Sequence, residues 1–271
     1  MKKEIRTIDK ERQILQVTTT DERWYVRDTV DPETGLPKYE FFPSVTWICD
    51  HYPKGTAFYK WLASKGWDES VAIKTAAGDK GSKVHYAIGD LIAGKTVSID
   101  AKYKNNSTGE DEELSFEEYD CLMAFVKWHK DMNPTFLACE FAVWGDGFAG
   151  TVDLLCEIGG QKYVVDFKTS QYIWPSHEIQ VSAYKHAGEF EDAKLAILQV
   201  GYRRNKNRYK FTEVDDQYNE FLAAKTIWAK EQKGVQPHQK DYPLRVKLDL
   251  GENKNETTGK SKDGVRAYSK V

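Results

Sequence analysis

The stretch Gly150-Thr-Val-Asp153-Leu-Leu-Cys-Glu-Ile-Gly159-Gly160-Gln-Lys-Tyr-Val-Val-Asp166-Phe-Lys168 decides the fold of this chain. Two apolar runs, 151–158 and 162–167, flank the paired glycines. Paired glycines between β-rich runs predict a hairpin, because a tight primed turn requires positive φ. With a two-residue loop, Asp153 lies opposite Asp166 with Cβ atoms ~5 Å apart. Lys168 then points to the same face as Asp166, because side chains alternate along a strand.

Two facing carboxylates at the end of an apolar hairpin repel each other, so a compensating charge is expected. A divalent cation supplies it, and the nearby Lys168 adds to it. The ordinary alternative is a solvated pair stabilised by Lys168 and water alone. A register slip of one residue would move Asp153 to the other face. We interpret Asp153 and Asp166 as candidate metal ligands.

A single histidine stands beside an apolar helical stripe in the segment 79–92. Val84, Ile88 and Leu91 recur at helical spacing, and His85 lies at the edge of this stripe. From the pattern alone, such a histidine is either an ordinary core or surface residue or a metal ligand.

Two further positions carry side chains suited to a site. Glu140, on a strand predicted over 135–144, is either an additional or outer metal carboxylate or a charge on an edge strand. Gln180 and Tyr184 share one face of a helix that begins at Pro175. Taken alone, most such Gln/Tyr pairs are surface residues.

The helix ahead of that strand begins at a capping box, Ser115-x-x-Glu118. We expect a stripe of four apolar residues on this helix to pack on the sheet: Phe116, Tyr119, Met123 and Val126.

A basic hairpin tip is predicted at 203–210, between strands at 195–202 and 209–214. Its five basic residues either contact DNA phosphates or protect a sheet edge from aggregation. They are Arg203, Arg204, Lys206, Arg208 and Lys210.

Composition limits the classes of function. The 271 residues carry a net charge of −3, so any surface that binds nucleic acid must be local. The four cysteines have no CxxC spacing and are expected to be reduced and buried. No apolar run is long enough to span a membrane and no secretory signal is present, so we expect a soluble, cytoplasmic protein without membrane partners.

Together these motifs resemble the PD-(D/E)XK nuclease superfamily, and most closely its RecB/Cas4-like branch. The resemblance rests on Glu140, Gly150-x-x-Asp153, Asp166-x-Lys168 and Gln180-x-x-x-Tyr184, and it covers roughly residues 40–215. Val152 replaces the proline of the "PD" element, and the second acid is Asp rather than Glu. Gly81-Ser-Lys-Val-His85 matches the family's Gly-x-x-x-His helix, and Pro43-Ser-Val-Thr looks like an element of phage and mitochondrial Cas4-like exonucleases.

The resemblance implies an α/β, restriction-endonuclease-like core, with a central mixed β-sheet flanked by helices and a helical N-terminal elaboration. It also implies a site that holds Mg²⁺ or Mn²⁺ through His85, Asp153, Asp166 and the Phe167 carbonyl, with Glu140 as a further candidate. Lys168 would position water or stabilise the transition state, and Gln180 and Tyr184 would orient the phosphodiester or the lysine. No cysteine follows Cys156, so no iron–sulfur cluster is expected, and without a Walker A motif no nucleotide cofactor is expected.

The implied function is a metal-dependent DNA exonuclease that prefers single-stranded DNA with a free end and works with recombination or replication proteins. A structure-specific endonuclease and a catalytically silent DNA-binding protein are the alternatives. In such enzymes, helices before the core roof the active site, where aromatic residues could stack on bases: Trp47, Tyr59, Trp61 and Trp67. We expect an N-terminal β-ribbon and helical elaboration at 1–78, the core at 79–233 and a loosely structured tail at 234–271.

Overall fold

The glycine-linked hairpin forms at the centre of an α/β architecture. The computed structural model describes residues 4–9, 14–19, 22–30, 32–33, 35 and 37–233, so the tail predicted at 234–271 lies outside the described residues. The elements follow in the order β1 (Glu4–Asp9), β2 (Ile14–Thr18), β3 (Arg23–Val30), β4 (Pro37–Pro43), α1 (Val45–Cys49), α2 (Thr56–Lys65), α3 (Trp67–Ile92), β5 (Lys102–Lys104), β6 (Asp111–Glu113), α4 (Phe116–Met132), β7 (Thr135–Gly145), β8 (Phe148–Ile158), β9 (Gln161–Lys168), α5 (Pro175–Ala187), β10 (Lys194–Val200), β11 (Tyr209–Val214) and α6 (Tyr218–Glu231).

The β8–β9 turn has the geometry that its glycines predict. Gly159 and Gly160 have φ of 58° and 84°, which a primed two-residue turn requires and other residues rarely adopt. Ile158 pairs with Gln161, and the register continues to Leu154 against Val165. The predicted register is confirmed over this part of the hairpin.

The central sheet has five strands in the order β11-β10-β9-β8-β7. Neighbouring strands are antiparallel, except that β9 and β10 run parallel and are joined through α5. A parallel pair requires such a crossover, whereas a tight turn suffices for an antiparallel pair. The predicted α/β class with a mixed sheet flanked by helices is confirmed.

Helices bury both faces of the sheet. On one face, α1, α5 and α6 contribute Ile48, Ile179 and Phe221 to a core in which each is fully buried. On the other face, α3 and α4 contribute Ile88 and Trp128, which are also fully buried. Because both faces are covered, the inner strand β10 is apolar along nearly its whole length.

The N-terminal strands form a separate antiparallel sheet in the order β1-β2-β3-β4. The hydroxyl groups of Tyr25 on β3 and Thr151 on β8 are 2.8 Å apart, which links the two sheets. The helix α3 runs without interruption across position 78, where the sequence analysis divides elaboration from core. All described residues belong to one compact unit.

The expected apolar stripe on α4 is wrong in part. The capping box of Ser115 and Glu118 forms as predicted. However, Phe116 is 83% exposed and Met123 55% exposed, while Leu122, Phe125 and Trp128 enter the core. The buried face is the one on which Leu122, Phe125 and Trp128 recur at helical spacing, so burial of these apolar side chains sets the orientation of α4. Glu118 lies on the same face and pairs with Lys83 of α3 at 3.0 Å.

No helix within the described ranges is both long enough and apolar enough to span a bilayer.

The Lys83–Glu118 pair yields a stability prediction. Both side chains are almost fully buried, so removing one partner leaves an uncompensated charge. We expect Lys83→Met to lower the free energy of unfolding by about 3–5 kcal/mol in urea titrations. The double variant Lys83→Met/Glu118→Gln should regain most of this loss, since the neutral amide can still accept the Ser115 cap hydrogen bond. Equal destabilisation in both variants would contradict the charge argument.

Candidate active site

The strands β8 and β9 part at Asp153. Their last paired residues are Leu154 and Val165, and beyond them a side chain replaces the backbone ladder. The Phe167 amide donates a 2.7 Å hydrogen bond to Asp153 Oδ2. The buried carboxylate thus satisfies the amide that the ladder would have used and lies at the point where the hairpin opens.

The alternation of side chains along β8 reverses at the same place. Val152 belongs to the core under α1, α5 and α6, whereas Leu154 belongs to the core under α3 and α4. Residues two apart in an undisturbed strand share a face. On β7, Glu140 lies between the residues that pair with Val152 and Leu154, and it has a left-handed φ of 49°. Such backbone conformations are costly for residues other than glycine and cluster at functional sites.

His85 connects α3 with the open end of the hairpin. Its Nε2 lies 3.1 Å from the Phe167 carbonyl oxygen, which accepts hydrogen bonds only, so Nε2 carries the proton. Its Nδ1 lies 3.3 Å from Asp153 Oδ1 and 3.7 Å from Glu140 Oε1. Burial lowers the pKa of His85, but the Asp153 and Glu140 carboxylates outweigh burial and raise the pKa to about 10.

These three side chains could hold a cation. One ligand atom from each of His85, Glu140 and Asp153 lies within 4.8 Å of the others, the only such group among the described residues. In the neutral imidazole, the Phe167 carbonyl leaves the Nδ1 lone pair directed at the carboxylates, the usual arrangement for a ligating histidine. The donor set of one imidazole and two carboxylates is suited to a divalent metal.

Asp166 lies outside that group of three and pairs with Lys168 instead. Its side chain is 1% exposed, and Oδ2 lies 2.5 Å from Lys168 Nζ. The contact is a close ion pair between the buried carboxylate and the Lys168 ammonium group. Burial raises the pKa of Asp166 to about 6 against the Lys168 charge, and the Asp153 charge adds to the rise. The positive charge on His85 instead outweighs burial and keeps the pKa of Asp153 below its usual value.

A chain of polar contacts positions Lys168 from the helix α5. Lys168 Nζ donates to Gln180 Oε1 at 3.3 Å, and Gln180 Nε2 donates to the Tyr184 hydroxyl at 2.7 Å. The shared helical face predicted for Gln180 and Tyr184 is therefore directed at Lys168. Burial raises the pKa of Tyr184 well above its usual value, so the phenol stays neutral.

All of these groups line one open pocket of about 730 Å³. Several residues of the pocket lining are not predicted from the sequence, including Arg23 and Tyr25 from β3. No local pattern marks these two residues, because only the packing of the two sheets brings them to the pocket. Lys80 and Thr151 also line it, and each lies inside a motif already quoted or beside one.

The basic tip contributes less to the pocket than its composition suggests. Arg203 lines the pocket and forms a 2.7 Å ion pair with Glu117, while Arg208 pairs with Asp120. Lys210 lies 5.9 Å from the centre of the Tyr202 ring, and Lys206 is exposed. Arg204 lies over the Tyr172 ring at 4.4 Å.

The four aromatic residues assigned to a roof are absent from the described lining of the pocket. Trp47 packs edge-on between Trp24 and Trp228, with ring centres 5.1 Å and 5.2 Å away. Tyr59 is 57% exposed and Trp67 73% exposed on α2 and α3, and Trp61 is half-buried.

The glycine of Gly150-x-x-Asp153 yields a second prediction. A Cβ atom at position 150 would lie 2.5 Å from Cε1 of the buried Tyr184 ring and 3.2 Å from Val45 Cγ2. We expect Gly150→Ala to lower the free energy of unfolding by about 1–3 kcal/mol. In the matched control Gly89→Ala, the added methyl group meets no atom within 4 Å, and we expect stabilisation by about 0.5–1 kcal/mol. Thermal unfolding of both variants measures the difference, and an unchanged Gly150→Ala would show that Tyr184 moves aside freely.

No family model and no curated protein matches this sequence. The crystal structure of SSO0001 aligns with 44% of this chain and 58% of its own chain, at 15% sequence identity and a TM-score of 0.29. The chain therefore spans less than two thirds of that protein, and a TM-score this low supports no inference about fold or function.

Proposed function

We propose that this protein is a divalent-metal-dependent deoxyribonuclease with a restriction-endonuclease-like core. The observation that carries the proposal is the meeting of His85, Glu140 and Asp153 beside the Asp166–Lys168 ion pair in one open pocket. The resemblance to RecB/Cas4-like nucleases, which rests on these same residues, supports phosphodiester hydrolysis as the reaction.

The residues present fit a hard divalent cation such as Mg²⁺ or Mn²⁺. His85 Nδ1 and Asp153 Oδ1 would hold it, with Asp166, the Phe167 carbonyl and Glu140 as further oxygen ligands. Asp166 supports this assignment, because its buried carboxylate lies near that of Asp153, whose charge adds to the rise in the pKa of Asp166, and a cation would relieve this repulsion. When bound, the cation supplies a water of lowered pKa and neutralises charge on the phosphate.

The chain's own residues position the substrate phosphate and stabilise the charge that develops on it. Lys168 is held by Gln180 and Asp166, so its ammonium group is preorganised for the pentavalent transition state or for the attacking water. Tyr184 holds Gln180 in turn and therefore acts on the reaction through the position of Lys168.

Charge around the pocket supports a nucleic-acid substrate. The chain has a net charge of −3, yet its segment 54–80 carries five lysines against three acidic residues. Lys74 and Lys80 from this segment line the pocket together with Arg23 and Arg203. Lys74 also lies 3.7 Å from Asp50, which lines the pocket as well. From the resemblance to RecB/Cas4-like exonucleases we infer that a single strand enters by its end, since a duplex is too wide for a roofed site. Recombination or replication proteins in the cytoplasm are the proposed partners.

The metal ligands provide a third prediction. We expect Asp153→Asn and Asp166→Asn to abolish Mn²⁺ binding in calorimetric titrations and the release of nucleotides from labelled DNA. Lys168→Ala should retain most Mn²⁺ binding, since an ammonium group is not a ligand, but lose about 10²–10³-fold in turnover. Asp131→Asn is the control, because this carboxylate pairs with Lys127 on the exposed face of α4. If both Asp153→Asn and Asp166→Asn bound Mn²⁺ as tightly as wild type, the two aspartates would not share a cation.

The proposed requirement for a free DNA end provides a fourth prediction. We expect a linear single strand to be degraded with Mg²⁺, while a covalently closed circle of the same sequence persists. The rate should fall steeply with salt, because phosphate contacts release counterions. Equal loss of circle and linear strand would mean internal cutting and favour an endonuclease. Binding without any loss would favour a silent DNA-binding protein.

A further inference from the structure

Two large aromatic side chains project into solvent beside the pocket. Tyr172 is 56% exposed and Trp174 53% exposed, and their ring centres lie 5.9 Å apart at an interplanar angle of 36°. They follow Lys168 by four and six residues, and Trp174 also lines the pocket. Neither ring contributes to the two helix-covered cores of the central sheet. A pair of exposed aromatic rings adjoining a pocket is a typical binding surface.

Hydrogen bonds fix the loop that presents this pair. Gln171 Nε2 donates to the Gly201 carbonyl at 3.0 Å, and Gln171 Oε1 accepts from the Arg203 amide at 2.9 Å. The Ser170 carbonyl accepts from the fully buried Gln199 side chain at 2.8 Å. The start of the loop is thus tied to the end of β10, which fixes the place from which the two aromatic side chains extend.

Arg204 adds a positive charge to the aromatic pair. Its guanidinium carbon lies 4.4 Å from the centre of the Tyr172 ring. Arg203 and Arg208 are paired with the acidic residues of α4, whereas Arg204 has no acidic partner in the part of the chain that the structure describes. Its N–H groups are therefore available to an anion next to the rings.

We propose that Tyr172, Trp174 and Arg204 form a nucleotide subsite that stacks one unpaired base next to the scissile phosphate and binds its backbone phosphate. The subsite rests on the proposed nuclease function, because its ligand is the strand that enters the catalytic pocket. Aromatic faces bind any base by stacking, and only an unpaired base offers its faces freely. The subsite would therefore contribute to the preference for single strands. It would also hold one nucleotide of the strand close to Lys168, because Trp174 and Lys168 line the same pocket.

The test measures binding without cleavage. Wild-type protein in EDTA is titrated against a fluorescein-labelled oligothymidylate, and then against a series in which one nucleotide at a time is abasic. An abasic nucleotide keeps its phosphate but removes the base. We expect one or two adjacent abasic positions to weaken wild-type binding about 10- to 100-fold, equal to about 1.4–2.8 kcal/mol.

The variant Tyr172→Ala/Trp174→Ala should bind the intact oligonucleotide as weakly as wild type binds the sensitive abasic one. It should also be insensitive to the abasic position, because the partner of that base is gone. The aromatic variant Tyr172→Phe/Trp174→Phe should bind the intact oligonucleotide as tightly as wild type and show the same sensitivity to the abasic position. Arg204→Gln should lower the slope of log K against log salt by about one while keeping the abasic pattern. Phe116→Ala, at an 83% exposed aromatic residue outside the pocket lining, is the matched control.

Two outcomes would overturn the subsite. They are unchanged binding of the intact oligonucleotide by the double alanine variant, and wild-type binding that is equally tight for the intact strand and for every abasic strand. A separate incubation with Mn²⁺ reports on the nuclease proposal. Binding that is sensitive to the abasic position, without nucleotide release, would refute hydrolysis and leave the subsite standing. Mn²⁺-dependent release with unaltered binding in the double alanine variant would refute the subsite alone.

Discussion

The hydrogen bond from the Phe167 amide to the Asp153 carboxylate is the interaction on which the rest of the site depends. It ends the ladder between the two central strands and keeps a charged group at the opening without leaving a buried amide unsatisfied. The other Asp153 oxygen is then directed to His85, whose second nitrogen is held by the carbonyl of the same Phe167. One peptide segment of β9 therefore orients both the carboxylate and the imidazole.

Charge is concentrated around two buried carboxylates, those of Asp153 and Asp166. Glu140, Asp153 and Asp166 lie close to His85 and Lys168 within the pocket. Burial of carboxylates at such short separations is unfavourable unless they are paired. The pKa of Asp153 is lowered and that of Asp166 is raised, as expected where neighbouring buried carboxylates share nearby cations. The left-handed backbone of Glu140 adds local strain at the same place. Strain and unbalanced charge in one place are expected of a site selected for chemistry rather than for stability.

The two sheets and the helices have distinct tasks around this site. The central strands present the acids and Lys168, while α3 brings His85 from one face and α5 brings Gln180 and Tyr184 from the other. The N-terminal sheet adds Arg23 and Tyr25 to the pocket wall. The segment from Ser170 to Trp174 is tied to the end of β10 and forms the rim. The groups of the site thus come from several layers of the fold, and none of these layers contains the whole arrangement.

The sequence by itself determined the features that depend on neighbours in the chain. The paired glycines fixed the turn and its register, the capping box began α4, and helical spacing placed Gln180 beside Tyr184. Tertiary structure decided which face of α4 is buried, because apolar residues occur both on the predicted face, with Phe116 and Met123, and on the buried face, with Leu122 and Phe125. It also paired two arginines of the basic tip with α4, and it reversed the pleat at Asp153 opposite the left-handed Glu140. Turns and helix caps depend on interactions between residues a few positions apart, so the sequence predicts them. Ion pairs between elements and a strained backbone depend on contacts between segments distant in the sequence, so only the folded structure shows them.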